Sequence, residues 1–563
     1  PKAKTSNADK LAVFALNGVK IINAQFNWDD KQQKQKVNVS DVNLSLGAIR
    51  TETKIPFNLH FVLKEKSVNA KVNFKSEILF SSNLKQFSFY NTDFSSNVKL
   101  ASLKEALSPQ INSALMQLDL EKQTFNTQKL SLSERSLKLE TQLSAKQIST
   151  KPYIKSQLNL IAVNPRTLAK NFEVKLPAMA DKKALTQLSA RLNIKGTLDN
   201  LFFSNLKLKL DDTTMSGKAN IKAATQTSSV SLAVDTINLD RYLPTPTSKK
   251  QTPKTEKNKT QSQNADAVLI PVALLNSVNL NADFKVKKLQ IKNTRWTDLT
   301  LVSRSKNGHI KIKPLSMQGY EAKVQSDFDI KTVNNNALLS GNLNIQKIKA
   351  GKILNDLIGK DKLKGTTTIT ASFNTRGIKL LQLKQNLNGK LKLRLRDGTL
   401  KGFDIDHQKK VLDAKIKRQP IPAAPVPAET KIANLSASAI IKKGILTNKD
   451  LRAATPLARV IGSGTVDIAK EKINYVASVK FTSSTKINPT TTFEKMNTLP
   501  LDIRVNGSFD NPRIKLDFSK TLNTLVKKEL KKQEKKIKDK VKKDLQKEIE
   551  KKLGDKLKNL LKF

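Results

Sequence analysis

The stretch LNGKLKLRLRDGTLKGFDI, Leu387 to Ile405, puts Leu391, Leu393 and Leu395 on one side of an extended chain and Lys392, Arg394 and Arg396 on the other. Side chains alternate across a β-strand, so a period of two writes a ribbon with one oily face and one cationic face. The pattern recurs along the whole chain. Ile55, Phe57, Leu59, Phe61 and Leu63 alternate, and after KEKS come Val68, Ala70, Val72 and Phe74, so the pair reads as a hairpin. Leu206, Leu208 and Leu210 precede DDTTMSG, and Ala219, Ile221 and Ala223 follow it. Leu280, Ala282, Phe284 and Val286 run into a one-residue slip at Lys287 and Lys288 before Leu289 and Ile291, where we expect a bulge. Ile473, Tyr475, Ala477, Val479 and Phe481 continue the series, and Leu501, Ile503, Val505, Ile514, Leu516 and Phe518 flank NGSFDNP. The residues therefore specify a long, mainly β, mostly antiparallel and basic chain. Alternation by itself does not separate a closed sandwich from an open groove.

Helices are few. Asn164 followed by Pro165 predicts a short helix to about Phe172, and 103–116, 353–358 and 407–416 are weaker helical candidates. Residues 244–266 contain no large apolar side chain and read as a disordered linker between a β-rich region at 1–243 and another at 267–518. From 519 to 563 the chain becomes a long Lys-rich helix with seventeen Lys against seven acidic residues. Its apolar residues fall at every fourth position, a stripe one residue wide that creeps around the axis. Two readings stay open for it: a solvated helix on the body, or a basic amphipathic helix on a membrane surface carried by Leu545, Ile549, Leu553, Leu557, Leu560, Leu561 and Phe563.

Composition limits the chemistry. The 563 residues exceed what one core organises, which implies several domains or one repetitive body. Without Cys there are no disulfides and no thiolate sites, and His60, His309 and His407 are isolated from one another, so no metal or cofactor is expected. Asp404 and Asp406 share a strand face if the strand continues through them, with no further ligands nearby. GSG at 462–464 sits between apolar segments and reads as closely packed strand, not a phosphate loop. No catalytic constellation emerges, and we expect no enzyme. The formal charge of +53 draws the chain toward polyanions. Only fifteen of the 101 basic residues are Arg and aromatics are 5%, so neither base readout nor stacking is provided for, and no nucleic-acid partner is expected. No apolar run is long enough to span a bilayer as a helix. Pro1 opens the chain without a Met or a leader, so a signal or anchor is expected upstream.

Several segments resemble the AsmA family of Gram-negative envelope proteins. They are LNGVKIINAQFNWDD at 16–30, LDDTTMSGKANI at 210–221 with AVDTINLDRYLP at 233–244, the opening stretch itself, residues 430–479, and LPLDIRVNGSFDNPRIKLDF at 499–518. The resemblance implies an elongated, strongly twisted antiparallel sheet curled into an apolar groove, similar to bridge-like lipid transfer proteins. It implies a periplasmic location with an inner-membrane anchor, and carriage of phospholipid between inner and outer membranes in support of outer-membrane assembly. The alternative is an assembly factor for outer-membrane proteins that carries no lipid. Implied partners are phospholipids, the inner membrane and outer-membrane components. Alternation and resemblance together nominate Ile55, Phe57, Leu59, Phe61, Val72, Phe74, Leu206, Leu208, Phe284, Leu391, Leu393, Leu395, Tyr475, Val479 and Phe481 as the groove lining. Two departures stand out: the membrane helix is missing, and MQGYEAKVQ at 317–325 lacks the double glycine expected after the tyrosine.

Overall fold

The computed structural model describes residues 17–32, 35–50, 52–223, 228–244, 268–417, 419–481, 500–509, 511–517 and 519–560. Among these there are 27 strands and few helices, so the chain is mainly β. The linker expected at 244–266 lies outside the described residues, apart from Pro244. The chain forms two compact units. The first comprises Pro1–Lys257, Val272–Gly319 and Gln325–Asn335, the second Asn258–Pro271, Tyr320–Val324 and Asn336–Phe563.

In the first unit a ladder runs from Val19–Asp30 to His309–Gly319, each strand bonded to an antiparallel neighbour close to it in sequence. Its one parallel step joins Ser228–Asn238 to Leu280–Ile291. In the second unit the strands from Asn336–Lys349 to Pro512–Asp517 form an antiparallel ladder in sequence order. Two-residue hairpins at Lys292-Asn293, Asn307-Gly308, Tyr320-Glu321 and Lys443-Gly444 have both residues in the left-handed region, the conformation whose twist matches that of paired strands. The turn that lacks glycine therefore forms with Tyr320 at φ 54° and Glu321 at φ 65°. Its strain is offset by Glu321 bridging Lys352 at 3.1 Å and Lys349 at 3.4 Å, and by the Tyr320 hydroxyl donating to Asp356 at 2.7 Å.

Helices form at Pro165–Asn171, capped by the Asn164 side chain, and at Ala350–Ile358, Ile405–Lys417 and Ser519–Leu560, as the sequence indicates. Three expectations are corrected. Residues 103–116 are not helical: the strand Gln110–Asp119 occupies much of that span, with Phe94 opposite Ile111 and Phe87 opposite Leu118, so cross-strand apolar pairing overrides helix propensity. No bulge sits at Lys287, because the register from Val286 against Leu299 to Lys288 against Thr297 is unbroken; the slip falls in the next step of the ladder, beside Asp298 at φ 52°. Asp404 is not on a strand: its carboxylate accepts from the Asp406 and His407 N–H groups and so caps the helix Ile405–Lys417. Asp406 lies in the first turn of that helix, half-buried, and burial followed by the neighbouring Asp404 charge raises its pKa.

The DDTTMSG and DRYLP segments meet in a polar latch. Buried Asp211 accepts from the backbone N–H groups of Leu185 and Thr186 at 2.8 Å and Gln187 at 3.1 Å, and from the Tyr242 hydroxyl at 2.8 Å. Arg241 reaches Asp181 and Asp212 at 2.6 Å each. Burial alone would raise the Asp211 pKa, but the four donors outweigh it and hold the carboxyl below its ordinary value. The latch is thus intact at neutral pH and is lost as pH falls through that lowered value. These segments hold loops together. Asp211→Asn should cost about 2 kcal/mol in chemical denaturation by leaving buried N–H donors poorly paired, and Tyr242→Phe about half of that. An unchanged denaturation midpoint for Asp211→Asn would contradict the latch.

Candidate functional site

Following directly opposed residues across the first unit gives one transverse row. It passes through Ile21, Leu44, Leu59, Phe74, Phe94, Ile111, Leu132, Leu139, Leu160, Ala190, Leu208, Met215, Val234, Val286 and Leu299. Fifteen successive strands each contribute one residue, and all fifteen are apolar. One residue along each strand, on the opposite face, the row reads Lys20, Ser45, Asn58, Lys75, Asp93, Asn112, Ser131, Glu140, Asn159, Arg191, Lys207, Ser216, Ala233, Lys285 and Thr300. Ala233 is its single apolar member. At about 4.8 Å per strand the apolar row is about 65 Å long, measured along the ladder.

A second apolar row, Phe80, Phe87, Leu118, Phe125, Ala145 and Ile154, runs beside the first. Ile154 and Leu160 lie six residues apart on one unbroken strand, so the two rows share a face about 20 Å wide. None of the fifteen residues of the first row is buried; Ile21 is exposed and the rest are half-buried. The described helices of this unit, Pro165–Asn171 and Val272–Ser277, are about 10 Å long or less and cannot roof a face of that length. Among its described residues Ile55 is the only large apolar side chain less than 2% exposed, and most other buried apolar positions are Ala.

The sequence-predicted lining divides between the units. Leu59, Phe74 and Leu208 are members of the long row. Phe57, Phe61, Val72, Leu206 and Phe284 flank it on the same face, Phe57 and Phe74 meeting edge to face at 5.6 Å, while Ile55 is buried. In the second unit Leu391 and Leu393 are half-buried, and Leu393 packs on a closed cluster of Leu395, Ile432 and Ala453. Val479 and Phe481 belong to another closed cluster with Ile405, Ala458 and Leu501. Leu395, Val479 and Phe481 are thus sealed, at 1%, 0% and 5% exposure. Tyr475 lies over Gly462 and Gly464, where any Cβ would collide with its ring, which confirms GSG as closely packed strand. Its hydroxyl donates to Asn448, and burial, then the Asp450 charge, pushes its pKa up to about 12.

Alternation also marks Phe94, Ile111, Leu132, Leu139 and Leu160, which the sequence reading omitted; their membership in one row depends on register. On the C-terminal helix Leu545, Ile549 and Leu553 are more than half exposed. A four-residue repeat advances about 40° per step, so the stripe winds instead of presenting one face. The side chains of Leu557 and Leu560 are not described, and Leu561 and Phe563 lie outside the described residues. Among the described residues no group of three or more His, Asp or Glu is placed to hold a metal, and no helix is long and apolar enough to cross a membrane.

Comparison with known families matches residues 2–451 to the AsmA family. The chain belongs to the AsmA family. Protein AsmA of Escherichia coli K12 is 19% identical over 350 residues, covering 59% of this chain and 54% of that protein, so the chain spans about half the length of this curated relative. In this AsmA-family chain the half-buried row and the sealed clusters should respond unequally to an introduced charge. Val479→Asp should cost about 4 kcal/mol and unfold the second unit, whereas Leu208→Asp should cost about 1 kcal/mol because water already reaches the site. Equal losses in thermal denaturation would show that the long row is sealed.

Proposed function

We propose that the first unit holds lipid acyl chains along its apolar row, and that the protein carries phospholipid between the inner and outer membranes in support of outer-membrane assembly. The observation that carries this reading is a row of fifteen apolar side chains, none buried, backed by a polar row one residue away. Each methylene transferred from water to such a surface gains about 0.8 kcal/mol. The gain is spread along the row, so a tail is held without a decisive contact and slides from strand to strand at little cost. The scattered Lys of the other face keeps the sheet wetted and attracts anionic headgroups. Family membership supports a place in the cell envelope; periplasmic residence, with an inner-membrane anchor, is part of the proposal.

The test is photocrosslinking in cells with a benzophenone side chain at Phe74, Leu160 or Leu208 and, as matched controls, at Lys75, Asn159 or Lys207. Lipid adducts should appear at the first three positions and be at least tenfold weaker at the controls. Protein adducts without lipid at the apolar positions would instead identify an assembly factor that carries no lipid.

A further inference from the structure

The polar face of the first unit has a hollow of its own. A cleft of about 800 Å³ opens across the strands from Tyr153–Val163 to Leu280–Ile291, on the face opposite the apolar row. Its concavity coincides with two register slips, one between Arg191 and Asn193 and one between Phe203 and Leu206, the second beside Asn205 at φ 52°. Bulges of this kind bend a strand and steepen its twist.

Four cations, Arg191, Lys207, Lys218 and Lys285, line the cleft, all exposed and none in an ion pair among the described residues. Arg191 and Lys207 stand directly opposite each other on neighbouring strands. Four residues along Leu188–Thr197 from Arg191, Lys195 faces Lys155 in the same way. Like charges in direct cross-strand opposition destabilise a sheet. The one carboxylate in the lining, Asp283, is engaged by Arg304 at 2.7 Å and does not neutralise them. Some Lys of this unit do find an acid, as in Lys151 with Asp199 and Lys85 with Glu121. Between the cations the lining mixes amides and hydroxyls, among them Gln157, Asn193 and Ser231, with Leu206, Leu232 and Ala233.

We propose that this cleft binds an acidic oligosaccharide. The cations would take its phosphates or carboxylates and the amides and hydroxyls its ring hydroxyls, while the Lys155 and Lys195 pair extends the path for a chain-like ligand. The volume falls within the roughly 300–1,000 Å³ of small-molecule sites, room for a few sugar rings. The cations and amides of the site stand on the face opposite the apolar row, and of the residues nominated for acyl-chain binding only Leu206 also borders the cleft.

The test measures fluorescence polarisation of labelled tetragalacturonate on the full chain at about 150 mM salt, where surface attraction beyond about 8 Å is screened. Neutral tetragalactose and inorganic phosphate serve as competitors. Lys207→Glu with Lys218→Glu should weaken binding at least tenfold, while Lys71→Glu with Lys99→Glu, an equal change of charge on distant strands, should change it less than twofold. Because Lys207→Glu relieves a like-charge opposition, the cleft variant should melt no lower than the parent, which separates loss of binding from loss of fold. Absence of binding, equal losses in both variants, or competition by phosphate as strong as by unlabelled tetragalacturonate would overturn the proposal.

Discussion

Backbone register is the constraint on which the rest of this protein depends. Because side chains alternate with a period of two, a slip of one residue between any two strands would exchange the apolar row for the polar one. Fifteen strands hold their rows in phase from Ile21 to Leu299. The ladder also passes through bulges without losing that phase: Asn91 at φ 49° and Asn205 at φ 52° each absorb one extra residue, and Asn tolerates the left-handed region better than most side chains. A sheet whose described residues bury few large apolar side chains has little core energy to spare, so side-chain networks such as that around Asp211 take on the work of fixing loops.

The two units treat the same strand pattern differently. In the second, the row through Leu395, Leu435, Ala453, Val460, Val479 and Leu501 feeds closed clusters, joined by Ile405 from the helix that Asp404 caps. In the first, the described helices are too short to do the same. Whether an alternating strand lines a groove or a core is therefore decided by what its neighbours bring to the face, not by the strand itself.

That distinction sets how much could be read in advance. The β class, the Asn164-capped helix, the long basic helix and the apolar phase of Phe57, Leu59, Phe74 and Leu208 follow from local pattern and are visible in one strand at a time. The row is not, since it needs the partner of every residue, and the phase slip at Asn205 hides the link between Leu201 or Phe203 and Leu206 or Leu208. Leu391, Leu393 and Leu395 look identical in sequence, yet Leu395 is sealed because Ile432 and Ala453 close over it. The cationic cleft was equally invisible: Arg191, Lys207, Lys218 and Lys285 are ordinary surface residues until the ladder brings them together.

Native mass spectrometry of the full chain, purified without detergent, tests the uncovered face most directly. The account predicts that phospholipid masses travel with the protein, and that they disappear when Leu160 and Leu208 are both replaced by Asp in a chain that keeps its far-ultraviolet circular dichroism. A parent protein that is lipid-free under these conditions, or a double variant that retains its lipid, would contradict it.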